Sequence, residues 1–486
     1  MTLDYIAYML LHIVRKGNKQ ISLFLLVIYF IMQGPIIGSA QDSLILLMDD
    51  YLAMVRNHHP MAMQALLLSD VADAYELKAK AGFDPTLALD YQAKEFDDKS
   101  YYRRLLSQVK VPTWIGADLK VEYERNRGDF LNESEDLPEN GLLLAGISIP
   151  LGQGLVFDER RRSLKEAQLY RQSNDIKRRE LYNKLIYSAS KSYVKWQVLH
   201  EKLTIQERII QIAEERLLIT RTGYEVGDRP ALDTLEALVN LRTRNQEFAK
   251  LQLKTVVALN IVNNYLWDQG SMPLELEDNT RPELLDMTIS AYAVDTLLLQ
   301  SEELIAQIPQ LNQLRIELQM VELDERLARE NLKPELNLNF NPLLRVQDND
   351  ALIRYNPRDY KWGLDFYYPL LNRKSRADLQ LTQITMNQIR LDRDIIKQDI
   401  ITTINNLVSA ESNLKEQSVL INDNIIDYQT LLSAEQEKYE IGESSLFLLN
   451  IRESKLLEAT FKNIDIKELI ILTRFDLINA YQSFSQ

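Results

Sequence analysis

The chain is 486 residues long, carries a formal charge of -14 at pH 7 and contains no cysteine. The charge argues against a nucleic-acid-binding face, which has to be basic. The missing cysteines exclude disulfides, thiolate metal sites and a lipidated N-terminal cysteine. Glycine and proline are scarce, at 15 and 14 copies, which disfavours an all-β fold and suits long helices.

At the N-terminus, Arg15, Lys16 and Lys19 precede an apolar run from Ile21 to Met32, followed by Gly34-Pro35 and Gly38-Ser39-Ala40. A basic region, a short apolar core and small residues before a cleavage point make residues 1–40 an export signal, cut after Ala40. The alternative, a membrane anchor, needs a longer apolar run than this one. The residues before Arg15 are superfluous to such a signal and fit a start codon placed too far upstream.

Residues 44–55 make an amphipathic helix, and Pro60 restarts a helix that Gly82 and Pro85 end near Ala81, proline being tolerated in a first helical turn. Residues 86–96 then alternate apolar and polar, as do 117–123 and 143–149, the pattern of strands with two different faces. If such strands cross a membrane and the chain returns to one side, the crossings must be even in number. Three cannot all cross, so 86–96 and 143–149 are taken as the pair, with 98–140 as an outer elaboration. Arg160, Arg161 and Arg162 follow, either as a solvated first helical turn or as the mark of an inner headgroup boundary. From Asp158 to Thr222 there is no proline or glycine. One helix of about 65 residues, roughly 95 Å at 1.5 Å per residue, is expected there. Tyr224-Glu225-Val226-Gly227 ends it in a tight turn, and a shorter helix returns over 231–266.

The stretch 268–290, with Gly270, Pro273 and Pro282, is an irregular link, after which the pattern runs again. Pro309 and Pro334 repeat the spacing of Pro60 and Pro85. Strands follow at 335–346 and 362–368, then Arg373, Lys374 and Arg376, a helix from Ser375, the turn Tyr439-Glu440-Ile441-Gly442 and a last helix over 445–482. The chain is thus two structural repeats, 42–267 and 291–484, each of helix, strands, long helix, tip and helix. One strand face carries Leu87, Leu89, Tyr91, Ile147, Leu338, Phe340, Trp362 and Leu364. The other carries Asp90, Gln92, Ser148, Asn337, Asn339 and Asp365. A soluble sandwich and a membrane barrel both fit that alternation, but four strands cannot close a barrel alone, so a barrel needs several copies of the chain.

In this order, twice, behind an export signal, these features resemble the bacterial outer-membrane efflux proteins of the TolC type over essentially all of 42–484. The resemblance implies an α+β fold: a long α-helical barrel of coiled-coil-like hairpins, continuous with a membrane β-barrel shared between three chains, four strands per chain. It implies a passive exit duct in the outer membrane with a large periplasmic portion, serving a tripartite efflux pump or a type I secretion system. Its partners would be two further copies, a periplasmic adaptor, an inner-membrane exporter and the lipid bilayer, with no cofactor. Val226, Gly227, Ile441 and Gly442 would form the adaptor-docking tips. Tyr439 and Asp233 match family positions that line the gate. Ser444, Leu448 and Ile451 stand where well-studied members carry an arginine and two aspartates, so closure by apolar packing of Leu446, Leu448 and Leu449 is expected instead. The alternative from another class, an exported periplasmic coiled-coil structural protein, leaves the alternating segments unexplained.

No glycine-rich phosphate loop, nucleophile elbow or zinc motif occurs, so neither an enzyme nor a metal protein is expected. His58 and His59 are adjacent and point different ways on a helix, which makes them a polar turn in place of a metal pair.

Overall fold

The computed structural model describes residues 44–135, 137–277, 279–293, 302–346 and 353–481; the expected export signal lies outside them. The chain divides into two compact units. In the smaller, which among the described residues takes in Leu44, Ile45 and part of 276–281, the Arg281 N–H donates to the Leu44 carbonyl at 2.9 Å. The larger, Leu46–Glu275 with Pro282–Gln486, holds the helices and one sheet.

Two helices lead in, α1 (Met48–His58) and α2 (Pro60–Lys80). His59 joins them: its Nδ1 accepts from the Met61 N–H at 3.1 Å, and its ring stacks on Tyr265 and meets Trp267 edge-on. That contact gives His59 a helix-capping role, in line with the polar turn read from the sequence.

Among the described residues six strands form the sheet: β1 (Thr86–Phe96), β2 (Lys99–Pro112), β3 (Asp118–Arg127), β4 (Leu142–Pro150), β5 (Glu335–Val346) and β6 (Ile353–Tyr367). They lie in chain order, every neighbour antiparallel. β1, β4, β5 and β6 cover the segments expected to be strands. β2 and β3 occupy the region taken for an outer elaboration, so the sheet has two strands more than the four expected. β2 escapes a period-two reading because Tyr101-Tyr102-Arg103-Arg104-Leu105-Leu106 presents each residue type twice in succession, which erases the alternation. The turn into it is built by Asp97 and Asp98, both at positive φ (55° and 58°), the conformation a two-residue hairpin with native twist requires.

Residues directly opposite one another in an antiparallel sheet share a face. Register therefore places Leu87, Val109, Val121 and Ala145 in one row, and Val111, Leu119, Ile147, Phe340 and Trp362 in another. Ile149, Leu338 and Leu364 make a third row on the same side. The opposite face holds Gln108 and Glu122, joined at 2.6 Å, and Asn339 and Asp365, joined at 2.6 Å.

The long helix α3 (Glu159–Glu225) runs 67 residues, α4 (Ala231–Asn263) returns beside it, and α5 (Leu285–Ala291) lies in the link. The second repeat adds α6 (Glu302–Ala306), α7 (Pro309–Glu330), α8 (Arg373–Glu440, 68 residues) and α9 (Leu446–Ala480). At 1.5 Å per residue, α3 and α8 are each about 100 Å long. A helix of this length is held by its packed stripe and not by propensity. For α3 that stripe includes Leu185, Ile186, Tyr193, Val194 and Trp196, all buried, with Tyr51 of α1 stacked on Tyr193 at 5.3 Å between ring centroids. The α8–α9 pair is held by a core of Ile404 and Leu477 with Ile305, Ile308 and Leu311, and by the buried ion pair of Arg474 and Glu411 at 2.9 Å.

Candidate functional site: the sheet face and the helical tips

The apolar face of the sheet is bare. Leu87 is 76%, Trp362 63% and Phe366 68% exposed, although side chains of this kind normally cover a core. The reverse face carries amides, carboxylates and lysines, so the sheet has one apolar and one polar face. No helix among the described residues is long and apolar enough to cross a membrane, and no group of residues among them could hold a metal ion.

Where the sheet meets the helices, the first basic cluster is held in ion pairs and is not a freely solvated turn. Arg160 binds Asp118 at 2.7 Å, and Arg162 pairs with Asp324 of α7 and with Glu159 and Glu166. Arg161 donates to the carbonyls of Leu155 and Val156 at 3.1 and 2.9 Å. The cluster staples β3 and the approach to α3 to the helices. Its second-repeat counterpart, Arg373, Lys374 and Arg376, is exposed.

The two tips share one geometry. Gly227 and Gly442 have φ of 82° and 80°, left-handed values that glycine adopts without strain. In each, the glycine N–H donates to the tyrosine carbonyl three residues back, Gly227 to Tyr224 and Gly442 to Tyr439, while Asp228 and Glu443 close the wider bond. Val226 and Ile441 project into open space, 75% and 70% exposed.

Above the tips the two hairpins are tied together. Tyr439 packs against Leu446, Leu449 and Ala237, and Arg229 both covers its ring at 4.5 Å and donates to its hydroxyl. Arg216 reaches Glu453 at 2.8 Å and Asn450 at 3.1 Å, while Asn240 donates to Asn450 at 2.7 Å. Of the three leucines expected to pack, Leu446 and Leu449 are buried and Leu448 is exposed. Asp233 stands half-exposed in the first turn of α4. Its charge, together with burial, which contributes more, pushes the Tyr439 hydroxyl above its ordinary pKa. Sequence reasoning missed Arg229, Arg216, Asn450 and Glu453. A signal for Arg229 did exist: it stands two residues after Gly227, the place in the first tip that Ser444 holds in the second.

Residues 118–266 match the outer membrane efflux protein family. No curated protein matches the chain in sequence. It is similar to the CmeC outer membrane channel of Campylobacter jejuni, with a TM-score of 0.60 at 13% identity over 90% of this chain and 85% of that one. The open state of the Neisseria gonorrhoeae MtrE outer membrane channel gives 0.63 at 13%, covering 90% and 88%. The Vibrio cholerae outer membrane protein VceC gives 0.61 at 11%, covering 90% and 96%. At such identities the likeness is one of fold.

Proposed function

We propose that the protein is the outer-membrane exit duct of a tripartite efflux pump or type I secretion system. It works as a passive conduit with most of its length in the periplasm. The observation that carries this reading is the two-faced sheet: its bare apolar face suits hydrocarbon, and its polar face suits a water-filled lumen. A soluble coiled-coil protein would have no use for either.

Three copies would assemble. One chain leaves a row of exposed apolar side chains along α8 (Leu381, Ile384, Leu391, Ile395), and neighbouring copies would cover it. The same assembly would join the free edges of β1 and β6 between chains and leave no unpaired strand in the membrane. The exposed tips around Val226, Gly227, Ile441 and Gly442 would receive the periplasmic adaptor, and an inner-membrane exporter would supply the energy. Tyr439 and Asp233, with Arg229, would belong to the closed end, which opens as helices shift between two packings.

The test is electrical. Purified full-length protein added to a planar bilayer is expected to give discrete conductance steps and to run as a trimer in detergent. A monomer that never conducts would defeat the proposal.

A further inference from the structure

The strands β2 and β3 lie in the region that the sequence alternation left outside the membrane, yet their register continues the pattern of their neighbours. Val109 and Val111 of β2 and Leu119 and Val121 of β3 stand in the same rows as Leu87, Ile147, Phe340 and Trp362. On the reverse side Gln108, Lys110, Lys120 and Glu122 continue the polar face, with Gln108 donating to Glu122 at 2.6 Å and Lys120 paired with Glu122 at 3.2 Å. The hairpin therefore has the same two environments as the other four strands.

Its ends agree with that placement. The turn between β2 and β3 exposes Trp114 and Ile115, with Trp114 stacked on Phe83 at 4.6 Å beside Arg160. An aromatic at the rim is what a lipid-facing band carries at its boundary. Towards the other end the apolar face gives way to Arg103, Arg125 and Arg127. The two strands are 14 and 10 residues long, enough to cross a bilayer when tilted. The residues that match the efflux family, 118–266, take in β3 and β4.

We infer that β2 and β3 are wall strands whose apolar face contacts lipid hydrocarbon, so that each chain supplies six crossing strands in place of four. The inference rests on the exit-duct reading. It also removes the parity problem: with β2 counted, the first repeat crosses four times and returns to the side it left. Three copies of a six-stranded sheet would close eighteen strands, and because barrel diameter grows roughly linearly with strand number, the pore through the membrane would be wider than a twelve-stranded one.

The absence of cysteine makes the test clean. The single variants Leu89→Cys, Val109→Cys, Val121→Cys, Ile147→Cys and Leu364→Cys, each on the apolar face, are made in the full chain, together with Gln108→Cys and Glu122→Cys on the polar face. Each is labelled with a bimane fluorophore and reconstituted into phosphatidylcholine vesicles with or without nitroxide-bearing lipid. Val109, Val121 and Leu89 are expected to lose emission to the lipid quencher as Ile147 and Leu364 do, while Gln108 and Glu122 respond to aqueous iodide. Loss at Ile147 and Leu364 without loss at Val109 and Val121 would overturn the six-strand wall and leave the duct standing. No loss at any of the five would bring down both.

Discussion

The long helices α3 and α8 are near-copies in plan, 67 and 68 residues, each ending at a glycine tip. Their surroundings differ. Eighteen residues of α3 are buried, including polar ones such as Asn183, Ser190 and Gln197, but only five of α8. α1, α2, α4, α7 and α9 pack around α3, whereas α8 has α6, α7 and α9 and leaves Leu391, Ile395, Val419 and Leu420 open. A duplicated pattern thus gives duplicated helices without duplicated environments. The chain encloses the middle of α3 with its own helices and leaves α8 largely open. An amphipathic stripe tends to be buried against something, and under the proposed assembly the open stripe of α8 is covered by neighbouring copies.

Paired substitutions should separate the two helices most clearly. Trp196→Ala, in the enclosed helix, should lower stability by about 4 kcal/mol through lost burial and a cavity, seen as a fall in Tm and in the amount of folded protein. Leu391→Asp with Ile395→Asp, on the open helix, should leave the helical content of one chain intact and separate the assembly, seen by native mass spectrometry. If the double variant still assembled, α8 would not be the interface.

Next in size is the tie between hairpins. Glu453 is nearly fully buried against Arg216, and removing one partner of such a pair strands the other charge. Arg216→Ala should cost about 3 kcal/mol, while replacing both partners together with methionine and leucine should recover most of it. Equal losses in the single and double variants would show that the cost does not come from the stranded charge. Smaller again are Gly227→Ala and Gly442→Ala, each expected to cost about 1 kcal/mol for a left-handed backbone. They should be equal, since both sites are sterically open and only φ is at stake; unequal losses would mean that the tips differ.

How far the sequence disclosed this depends on distance along the chain. The helices were legible because proline and glycine punctuate them at Pro60, Gly82, Gly227, Pro309 and Gly442. Strands β1, β4, β5 and β6 were legible through clean alternation, whereas the doubled residues of 101–106 hid β2, and with it the role of β3. At the tip, Tyr439 could be singled out by its place before Gly442, but its partner Arg229 lies 210 residues away. No local pattern joins two such residues; only the packing of the first hairpin against the second does. The fate of Arg160 and Arg162 was hidden for the same reason, because Asp118 and Asp324 come from other elements.

An effect as small as that of the tip glycines concerns how the two long helices begin. Asp158 caps α3, its carboxylate accepting from the Arg161 N–H at 2.9 Å, whereas the residue before α8, Asn372, has φ of 40° and no capping bond from its side chain. Asp158→Ala should therefore cost about 1 kcal/mol at neutral pH, and Asn372→Gly should be almost neutral, because glycine tolerates that backbone. The two sites also differ in pH response. Burial alone would raise the Asp158 pKa, but hydrogen bonds from the Arg161 backbone and side chain outweigh it and leave the carboxyl below its ordinary value. A depressed folded-state pKa means that the cap contributes above the unfolded-state pKa, near 3.9 for aspartate, and that the contribution fades as pH falls through the folded value. The gap in Tm between wild type and Asp158→Ala should then be constant from pH 8 to about pH 5 and narrow below about pH 4, while Asn372→Gly shows no such trend. A gap that persisted unchanged into acid would mean that Asp158 holds α3 by shape and not by charge.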